Sequence, residues 1–454
     1  MLNAESMHRL AKIALDKGEV SSPEEALDLF SRYRIRLHLG NGWSDTFAGQ
    51  ACFLTALNTA SRAFLGGVEV YGDLDPILNV PLYEGRRAHD VITELGGVPT
   101  TSLNTNTPTL ILGNSSDVVT SAFSLLLSWD SWRACASPLC SHDVLPCLID
   151  NPIAGVAAAC IGVNEAFLHI RGDHPYAGHR SVGISLWSPL CISDWRSEPN
   201  KGPNLKYLPK SLWLVGLGHL GQAYSWILGM LPYPREKRPH VVLQDFDESM
   251  ESNLSTCLLM TKSDLGKRKV RQVAQRLENA GFTTNLVERS FGQNHKLRNN
   301  EPTTALFGVD NIATRRDLDT ADFALVVEAG LGSGYQDFRN IRTHTFPTIR
   351  KPSDIWSAES AAQSAQTLNE AYQKLAQERN DLCGITQLAS RAVATPFIGA
   401  MAATLVLSEV VRPLHGGVVY PTLDIQMKSL NYRNGAPPFK YRGIPTEYVE
   451  VALP

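Results

Sequence analysis

Residues 211–221 read SLWLVGLGHLG, and this stretch decides the fold class. The apolar run at 212–215 is typical of a buried strand, and a helical pattern over 218–231 begins inside the glycine cluster that follows it. Glycines in such a turn let the chain reverse tightly and let backbone N–H groups approach a phosphate at the helix N-terminus. The glycines here are Gly216, Gly218 and Gly221. This order of strand, glycine turn and helix predicts a Rossmann-like α/β unit.

The segment after this unit favours a nucleoside triphosphate over a dinucleotide. A second strand is predicted at 241–244, and Asp245 follows it, where a carboxylate can bind ribose hydroxyls. Asp247, Asn253 and the cationic run 267–269 come next. Carboxylates hold Mg²⁺ or ribose, an amide orients a phosphate, and a lysine neutralises charge during transfer at phosphorus. A dehydrogenase has no need for this set, although the cationic run by itself also fits the exposed start of a helix.

The composition narrows the class of protein. The chain has 454 residues, of which 43% are hydrophobic and 19% charged, and 42 basic against 45 acidic side chains give a net charge of −3. These values are typical of a folded chain with two or three domains and argue against disorder or a coiled coil. A charge so close to neutral gives no support to a nucleic-acid scaffold or a polybasic membrane binder, so neither nucleic acid nor membrane is an expected partner.

Cysteine usage and apolar runs indicate the compartment. The 8 cysteines include no C-x-x-C pair, which excludes a zinc ribbon, and they are too sparse for a disulfide scaffold. No apolar core of signal-peptide length lies near residue 1. The apolar stretch 396–407 is followed by Ser408 and Glu409, so we predict a buried helix there rather than a membrane span. A cytoplasmic location is therefore expected.

The chain is predicted to contain two α/β units. Strand-like and helical patterns alternate from about residue 34, the segment 171–209 reads as a connection, and the alternation resumes at 211. We therefore predict domains at 1–200 and 201–454. Further strands are predicted at 68–71, 109–112 and 323–327, and helices at 50–64, at 357–380 and from Pro23 onward.

One stretch of each unit echoes the other. Residues 152–166 read PIAGVAAACIGVNEA, and residues 396–410 read PFIGAMAATLVLSEV. Two explanations stay open at this point: either two alanine-rich buried helices look alike by chance, or each half of the chain is a copy of the same domain.

The motifs of the second unit, taken together, resemble the ThiF/MoeB and ubiquitin-activating superfamily. The shared pattern covers about residues 211–320 and consists of the glycine turn, D-x-D at Asp245 and Asp247, S-N-L at 252–254, D-x-G-x-x-K at 264–269 and D-N at 310–311. The resemblance implies two Rossmann-like ThiF-type adenylation domains, of which the N-terminal one is degenerate and the C-terminal one binds ATP. The first half carries a glycine pair at 40–42 but has no S-N-L or D-x-G-x-x-K segment.

The same resemblance implies roles for individual residues. Gly216, Gly218 and Gly221 form the ATP turn, Asp245 binds ribose, Asn253 and Lys269 contact phosphates, Asp310 coordinates Mg²⁺, and Asp247 either joins the ATP site or only shapes the loop. The family's arginine after S-N-L falls on Thr256 here, so that phosphate contact is either lost or supplied by Arg268 or an N-terminal arginine. The family also uses an arginine from a partner domain, for which Arg32 is the best match.

A cysteine upstream of the helix that begins at Pro396 is the implied nucleophile. Cys383 holds that position, within a segment at about 355–395, and a thiolate is a good nucleophile toward an acyl adenylate. A small buried cysteine is the alternative for this residue.

The resemblance implies ATP-dependent activation of a ubiquitin-like protein. The partners would be a β-grasp protein with a C-terminal glycine and a conjugating enzyme that receives the thioester. Some bacterial relatives are linked to antiviral defence. Two alternatives stay open: an adenylyltransferase without a thioester, serving a sulfur carrier or a peptide, and a non-catalytic nucleotide-binding scaffold, suggested by Thr256.

Overall fold

The computed structural model describes residues 6–102, 104–114, 121–292, 295–356, 372–374, 376, 385, 389–443 and 446–453. Its helices are α1 (Ala11–Lys17), α2 (Pro23–Phe30), α3 (Phe47–Ser61), α4 (Ala88–Glu94), α5 (Pro152–Arg171), α6 (His219–Leu228), α7 (Lys269–Asn279), α8 (Ile312–Arg316), α9 (Pro352–Ile355) and α10 (Pro396–Leu414).

Two sheets of the same topology organise these residues. The strands of the first half are β1 (Arg34–Leu39), β2 (Gly67–Gly72), β3 (Gly97–Pro99), β4 (Thr109–Leu112), β5 (Ser124–Asp130), β6 (Arg133–Pro138) and β7 (Val182–Ser185). Those of the second half are β8 (Tyr207–Pro209), β9 (Ser211–Val215), β10 (His240–Gln244), β11 (Thr283–Val287), β12 (Thr304–Phe307), β13 (Leu325–Leu331), β14 (Asn340–Phe346), β15 (Thr422–Gln426), β16 (Arg433–Gly435) and β17 (Tyr448–Glu450).

The strand order repeats between the halves. The first sheet runs β3-β2-β1-β4-β5-β6-β7 and the second runs β11-β10-β9-β12-β13-β14-β15-β16, while β8 and β17 form a separate pair. In each sheet the first five strands of this order are parallel and the remaining ones antiparallel. The break between the sheets, from Ser185 to Ser211, spans the predicted boundary at 200. Both halves are therefore Rossmann-like α/β units, as the sequence predicts.

The predicted local elements have clear physical causes. The strand predictions at 68–71, 109–112, 212–215 and 241–244 are confirmed. The last three of these runs are buried on both faces, as is typical of parallel strands, whereas 68–71 alternates between buried and half-buried residues. Helix α2 begins at Pro23 because the Ser22 hydroxyl accepts the backbone N–H of Glu25. The predicted strand at 323–327 begins instead at Leu325 and continues to Leu331.

The two helices of the sequence echo lie in the centre of the molecule. Helices α5 and α10 each begin at the proline of the echo, contact each other and pack with α3 and α6. Both are long and apolar enough to cross a membrane by length and composition, yet 89% of the most apolar window of each is buried inside the protein. The buried helix predicted at 396–407 is thus part of α10.

Hydrogen bonds join the halves within one continuous core. The indole Nε1 of Trp226 donates to the Thr55 hydroxyl at 2.9 Å, and the Asn164 amide donates to the Met427 carbonyl at 2.7 Å. Both pairs are buried, so they link α3 to α6 and α5 to the loop after β15 without competition from water.

Candidate functional site

Each glycine of the turn between β9 and α6 meets a different steric demand. Gly216 has φ +81°, and a Cβ there would lie 2.8 Å from Val309. A Cβ on Gly221 would lie 1.9 Å from the Gly216 carbonyl oxygen, so only glycine lets the helix approach the strand. At Gly218 a Cβ would meet no atom within 4 Å, so this backbone borders open space. Tight turn, open approach and close packing are the three glycine roles in a phosphate-binding turn.

The turn lies where the order of the second sheet reverses. After β9 the chain proceeds to β10 on one side and then to β12 on the other, and all three strands are parallel. Ligands of doubly wound sheets bind in the crevice at such a point, outside the carboxyl ends of the strands. No described side chain caps α6, so its N-terminal N–H groups face this crevice without a protein carboxylate or hydroxyl.

Asp245 anchors the glycine turn. Its Oδ2 accepts the backbone N–H of Leu217 at 2.6 Å, and its Oδ1 accepts the backbone N–H of Asp247 at 2.8 Å. Burial raises the pKa of this carboxyl, opposed mainly by the charge of Lys269. Each carboxylate oxygen has room for a further hydrogen bond, so Asp245 can hold the turn and still accept a ligand hydroxyl.

Lys269 forms an ion pair beside Asp245. Its Nζ lies 2.8 Å from Asp247 Oδ2, and its side chain is only 7% exposed. Burial alone would lower the pKa of Lys269, but Asp245 and Asp247 outweigh burial and raise it. The ammonium group therefore stays charged at neutral pH, at the first residue of α7. In this arrangement Asp247 both shapes the loop and orients the lysine.

Asn253 lies in a 3₁₀ turn over Glu251–Ser255. Its Oδ1 accepts the backbone N–H of Met250 at 2.9 Å, and the structure gives its side-chain NH₂ group no protein partner among the described residues. The amide is thus fixed at its oxygen and available for donation at its nitrogen. Thr256, where the family pattern has an arginine, is buried.

An arginine from the N-terminal segment approaches the same region. The backbone N–H of Arg9 donates to the Ser255 hydroxyl at 3.3 Å, and its guanidinium to the Ala392 carbonyl at 3.5 Å. Burial, followed by the charge of Arg391, lowers the pKa of Arg9, while Asp310 acts in the opposite direction. Arg9 is therefore within electrostatic reach of Asp310. Sequence reasoning missed this specific residue and allowed only for an unnamed N-terminal arginine.

Asp310 is exposed and follows β12 at the carboxyl edge of the sheet. The next residue, Asn311, caps α8 by accepting the backbone N–H of Ala313 at 2.8 Å. The cap leaves the Asp310 carboxylate at the start of the turn, on the same edge as Asp245.

One predicted catalytic residue does not join this arrangement, and another lies outside the described residues. Arg32 is 72% exposed and its ion pair is with Asp28 at 2.5 Å, just before the amino end of β1. The structure does not bring it to the glycine turn, and its role stays a prediction. Cys383 and most of the segment 355–395 lie outside the described residues. Cys257, next to the Asn253 turn, is buried, and burial raises the pKa of its thiol, which makes it a poor nucleophile.

The equivalent turn in the first half is filled by protein. A Cβ on Gly40 would lie 1.8 Å from the carbonyl oxygen of Asn114. At the N-terminus of α3, the backbone N–H groups of Phe47 and Ala48 donate to Asp150 at 2.9 and 2.7 Å. The Asp150 carboxylate thus caps the N-terminus of α3, whereas no described side chain caps the corresponding helix α6.

Comparison with known proteins finds one family model in each half of the chain. A family model described as the BilD N-terminal domain matches residues 34–186, and one described as the BilD C-terminal domain matches 208–417. The bacterial E1-like protein BilD of Collimonas sp. (strain OK412) is 39% identical over 451 residues, covering 97% of this chain and 96% of that protein. This chain belongs to the BilD family of bacterial E1-like proteins. The relative is described as E1-like, so the chain is an E1-like protein.

Solved structures show only a distant likeness. E. coli MccB is 11% identical, with a TM-score of 0.30 over 50% of this chain and 62% of the MccB chain, less than two thirds of it. PaaA is 10% identical, with a TM-score of 0.32 over 67% of this chain and 78% of the PaaA chain. At these values the likeness has no bearing on the activity of the BilD family.

Proposed function

We propose that this chain activates a ubiquitin-like protein in an ATP-dependent reaction. The observation that carries the proposal is the open backbone at Gly218, which faces the uncapped N-terminus of α6 beside Asp245 and Lys269. A triphosphate needs N–H donors, a fixed ammonium and a carboxylate for its ribose in one crevice, and this crevice offers each of them.

The residues present fit ATP and Mg²⁺. The α6 N–H groups, Lys269 and the free amide nitrogen of Asn253 would hold phosphates, and Asp245 would accept ribose hydroxyls. Asp310, an exposed carboxylate at the same sheet edge, would hold Mg²⁺, which supplies charge neutralisation when bound. The family pattern has an arginine at the position of Thr256. Arg9 can supply that positive charge instead, because it approaches the region from the N-terminal segment.

In the proposed adenylation, a C-terminal carboxylate oxygen of the ubiquitin-like protein bonds to the α-phosphorus, and the bond from that phosphorus to pyrophosphate breaks. Lys269 and Arg9 neutralise the negative charge that this displacement concentrates on the phosphate oxygens. The Cys383 thiolate then bonds to the acyl carbon and AMP leaves, which produces a thioester for transfer to the cysteine of a conjugating enzyme.

In this proposal the first half is the degenerate copy. The Asp150 carboxylate at the N-terminus of α3 supports that assignment, because a second anion would be repelled there. The first half would then serve as a pseudo-dimer partner, held to the active half through the shared helix core.

The test combines two variants with a purified β-grasp protein that has a C-terminal glycine. Asp310→Ala should abolish ATP–pyrophosphate exchange, whereas Cys383→Ala should retain exchange and lose only the thioester seen on a non-reducing gel. Cys140→Ala, at an exposed cysteine, is the matched control and should retain both. Exchange without any thioester in the wild type would favour the adenylyltransferase alternative, and no exchange at all would favour a non-catalytic scaffold.

A further inference from the structure

A second cleft lies between the two halves, on the side of the 254–262 segment. It has a volume of about 720 Å³ and is bordered by residues 81–86 and 94–96 of the first half and by Arg235, Arg238 and α7 of the second. A volume of this size is typical of a site for a small ligand. None of the predicted ATP-site residues lines it.

The cleft is strongly cationic although the chain carries a net charge of −3. Its basic lining residues are Arg62, Arg86, Arg235, Arg238, Lys262 and Arg276. The acidic lining residues are Glu84 and Glu94, which already form ion pairs with Arg238 and Arg86. The remaining lining cations have no carboxylate of the cleft to neutralise them.

Three of these cations are available at the mouth of the cleft. Arg235 and Lys262 are exposed, and among the described residues neither has an ion-pair partner. Arg276 is 35% exposed and its nearest carboxylate, Asp264, is 3.7 Å away. Arg235 and Lys262 have no counter-charge among the described residues and Arg276 has only a distant one, so an anion that approaches all three would be favoured.

Two further cations lie deeper. Arg62 donates to backbone carbonyls and to Asn58, which satisfies its N–H groups without neutralising its charge. Burial lowers the pKa of Arg62 to about 10, so it stays protonated at neutral pH. The side chain of Arg238 is only 4% exposed and pairs with Glu84, so Arg62 is the deeper cation whose charge no lining carboxylate balances.

We propose that this cleft binds a small anion with several phosphate groups, held between Arg235, Lys262 and Arg276 at its mouth, above the unbalanced charge of Arg62. Guanidinium groups match phosphate oxygens in charge and geometry, and both halves of the chain contribute to the lining. The proposal is independent of the activity proposed above, because the cleft does not include the glycine turn.

The experiment measures binding of inorganic tripolyphosphate to the full chain by calorimetry, without Mg²⁺. Arg235→Glu/Lys262→Glu should weaken binding by about tenfold or more, since charge-assisted contacts are replaced by repulsion. Arg235→Gln/Lys262→Gln, a milder change, should weaken it in the same direction. Lys440→Glu/Arg442→Glu makes the same charge change at exposed residues outside the cleft and should leave binding within about twofold of the wild type.

A Lys269→Ala variant separates the cleft from the nucleotide crevice. Retention of tripolyphosphate binding in this variant supports the cleft, whereas loss there with retention in both Arg235/Lys262 variants overturns the proposal. Equal weakening in the Lys440/Arg442 control also overturns it, because general charge would then explain binding. Absence of measurable binding to the wild type at low ionic strength contradicts it directly.

Discussion

Arg62, at the end of α3 in the first half, donates from its guanidinium to the carbonyl of Met260 in the second half at 2.9 Å. The same guanidinium donates to the Leu254 carbonyl and, through Nε, to the Asn58 amide oxygen at 2.9 Å. Asn58 in turn donates to the Leu258 carbonyl at 2.9 Å. The first half thus fixes residues 254–260, which directly follow Asn253, and this makes Arg62 a positioning residue for the nucleotide crevice.

Replacement of Arg62 should therefore affect nucleotide use as well as stability. Arg62→Met removes four hydrogen bonds and leaves buried carbonyls without partners, at a cost of about 2–4 kcal/mol in the free energy of unfolding. If the segment is loosened, KM for ATP in pyrophosphate exchange should rise more than kcat falls. Arg339→Met, which breaks another cross-half contact at Asp173 (2.8 Å), is the control and should leave KM unchanged. An unchanged KM in Arg62→Met would assign Arg62 to stability alone.

Asp245 should be the most sensitive carboxylate for ATP affinity. Asp245→Asn replaces one of the two carboxylate oxygens with an NH₂ group. That group cannot accept a hydrogen bond from the Leu217 or Asp247 N–H, so the glycine turn loses one of its two bonds to this side chain. We expect the affinity for a non-hydrolysable ATP analogue, measured by calorimetry, to fall by about 10- to 100-fold. Asp247→Asn should have a smaller effect, because its side chain is 48% exposed and acts through Lys269. Equal losses in both variants would contradict the anchoring role of Asp245.

Whether Arg9 or Arg32 supplies the additional positive charge for adenylation can be tested directly. Arg9→Ala should slow adenylation by about 10- to 100-fold, because a cation within reach of Asp310 is removed. Arg32→Ala removes an exposed ion pair with Asp28, for which a small effect is expected. Pyrophosphate exchange on both variants decides the question. If exchange is largely lost in Arg32→Ala and unchanged in Arg9→Ala, then Arg32, which the sequence motif suggests, is the arginine that acts in adenylation.

The sequence predicts the parts of the site whose position follows from the order of neighbouring strands and helices along the chain. The glycine turn, Asp245 and Lys269 follow consecutive elements of one Rossmann-like unit, so their proximity comes from the chain direction and the parallel sheet. The capping of α2 by Ser22 is similarly local.

Contacts between residues far apart in the chain could not be predicted from the sequence. Arg9 meets Ser255, Arg62 meets Met260, and Asp150 meets Ala48, each across a long loop of chain. An arginine or aspartate of this kind lies in no short motif, and only tertiary packing assigns its partner. For the same reason the echo of 152–166 in 396–410 left chance similarity open, whereas the repeated strand order identifies α5 and α10 as equivalent helices.

Asp150 offers a test of the degenerate first half. Asp150→Ala leaves the N–H groups of Phe47 and Ala48 without their buried acceptor, so the free energy of unfolding should drop by about 1–3 kcal/mol. Calorimetry with the ATP analogue should still give one nucleotide per chain, because the Gly40 turn remains filled by the Asn114 carbonyl. Two nucleotides per wild-type chain would contradict the proposal that the first half is inactive.

His219, the first residue of α6, should make stability depend on pH. Burial, followed by the charge of Arg9, lowers the pKa of His219 from 6.5 to about 4. Between pH 6.5 and 4 the unfolded chain therefore binds more protons than the folded one. The contribution of His219 to the free energy of unfolding is thus present above pH 6.5 and is lost as the pH falls toward 4.

Two buried carboxylates change stability in the opposite direction. The pKa values of Asp150 and Asp245 are raised in the folded state, so above their unfolded pKa their contribution decreases as the pH rises. Both carboxylates remain in His219→Gln, so the difference between wild type and variant isolates the histidine. Urea unfolding at pH 7 and pH 5 measures how far the free energy of unfolding falls between the two. This decrease should be about 1–3 kcal/mol smaller in the variant than in the wild type. An identical loss in both proteins would mean that His219 is protonated in the folded state at pH 5.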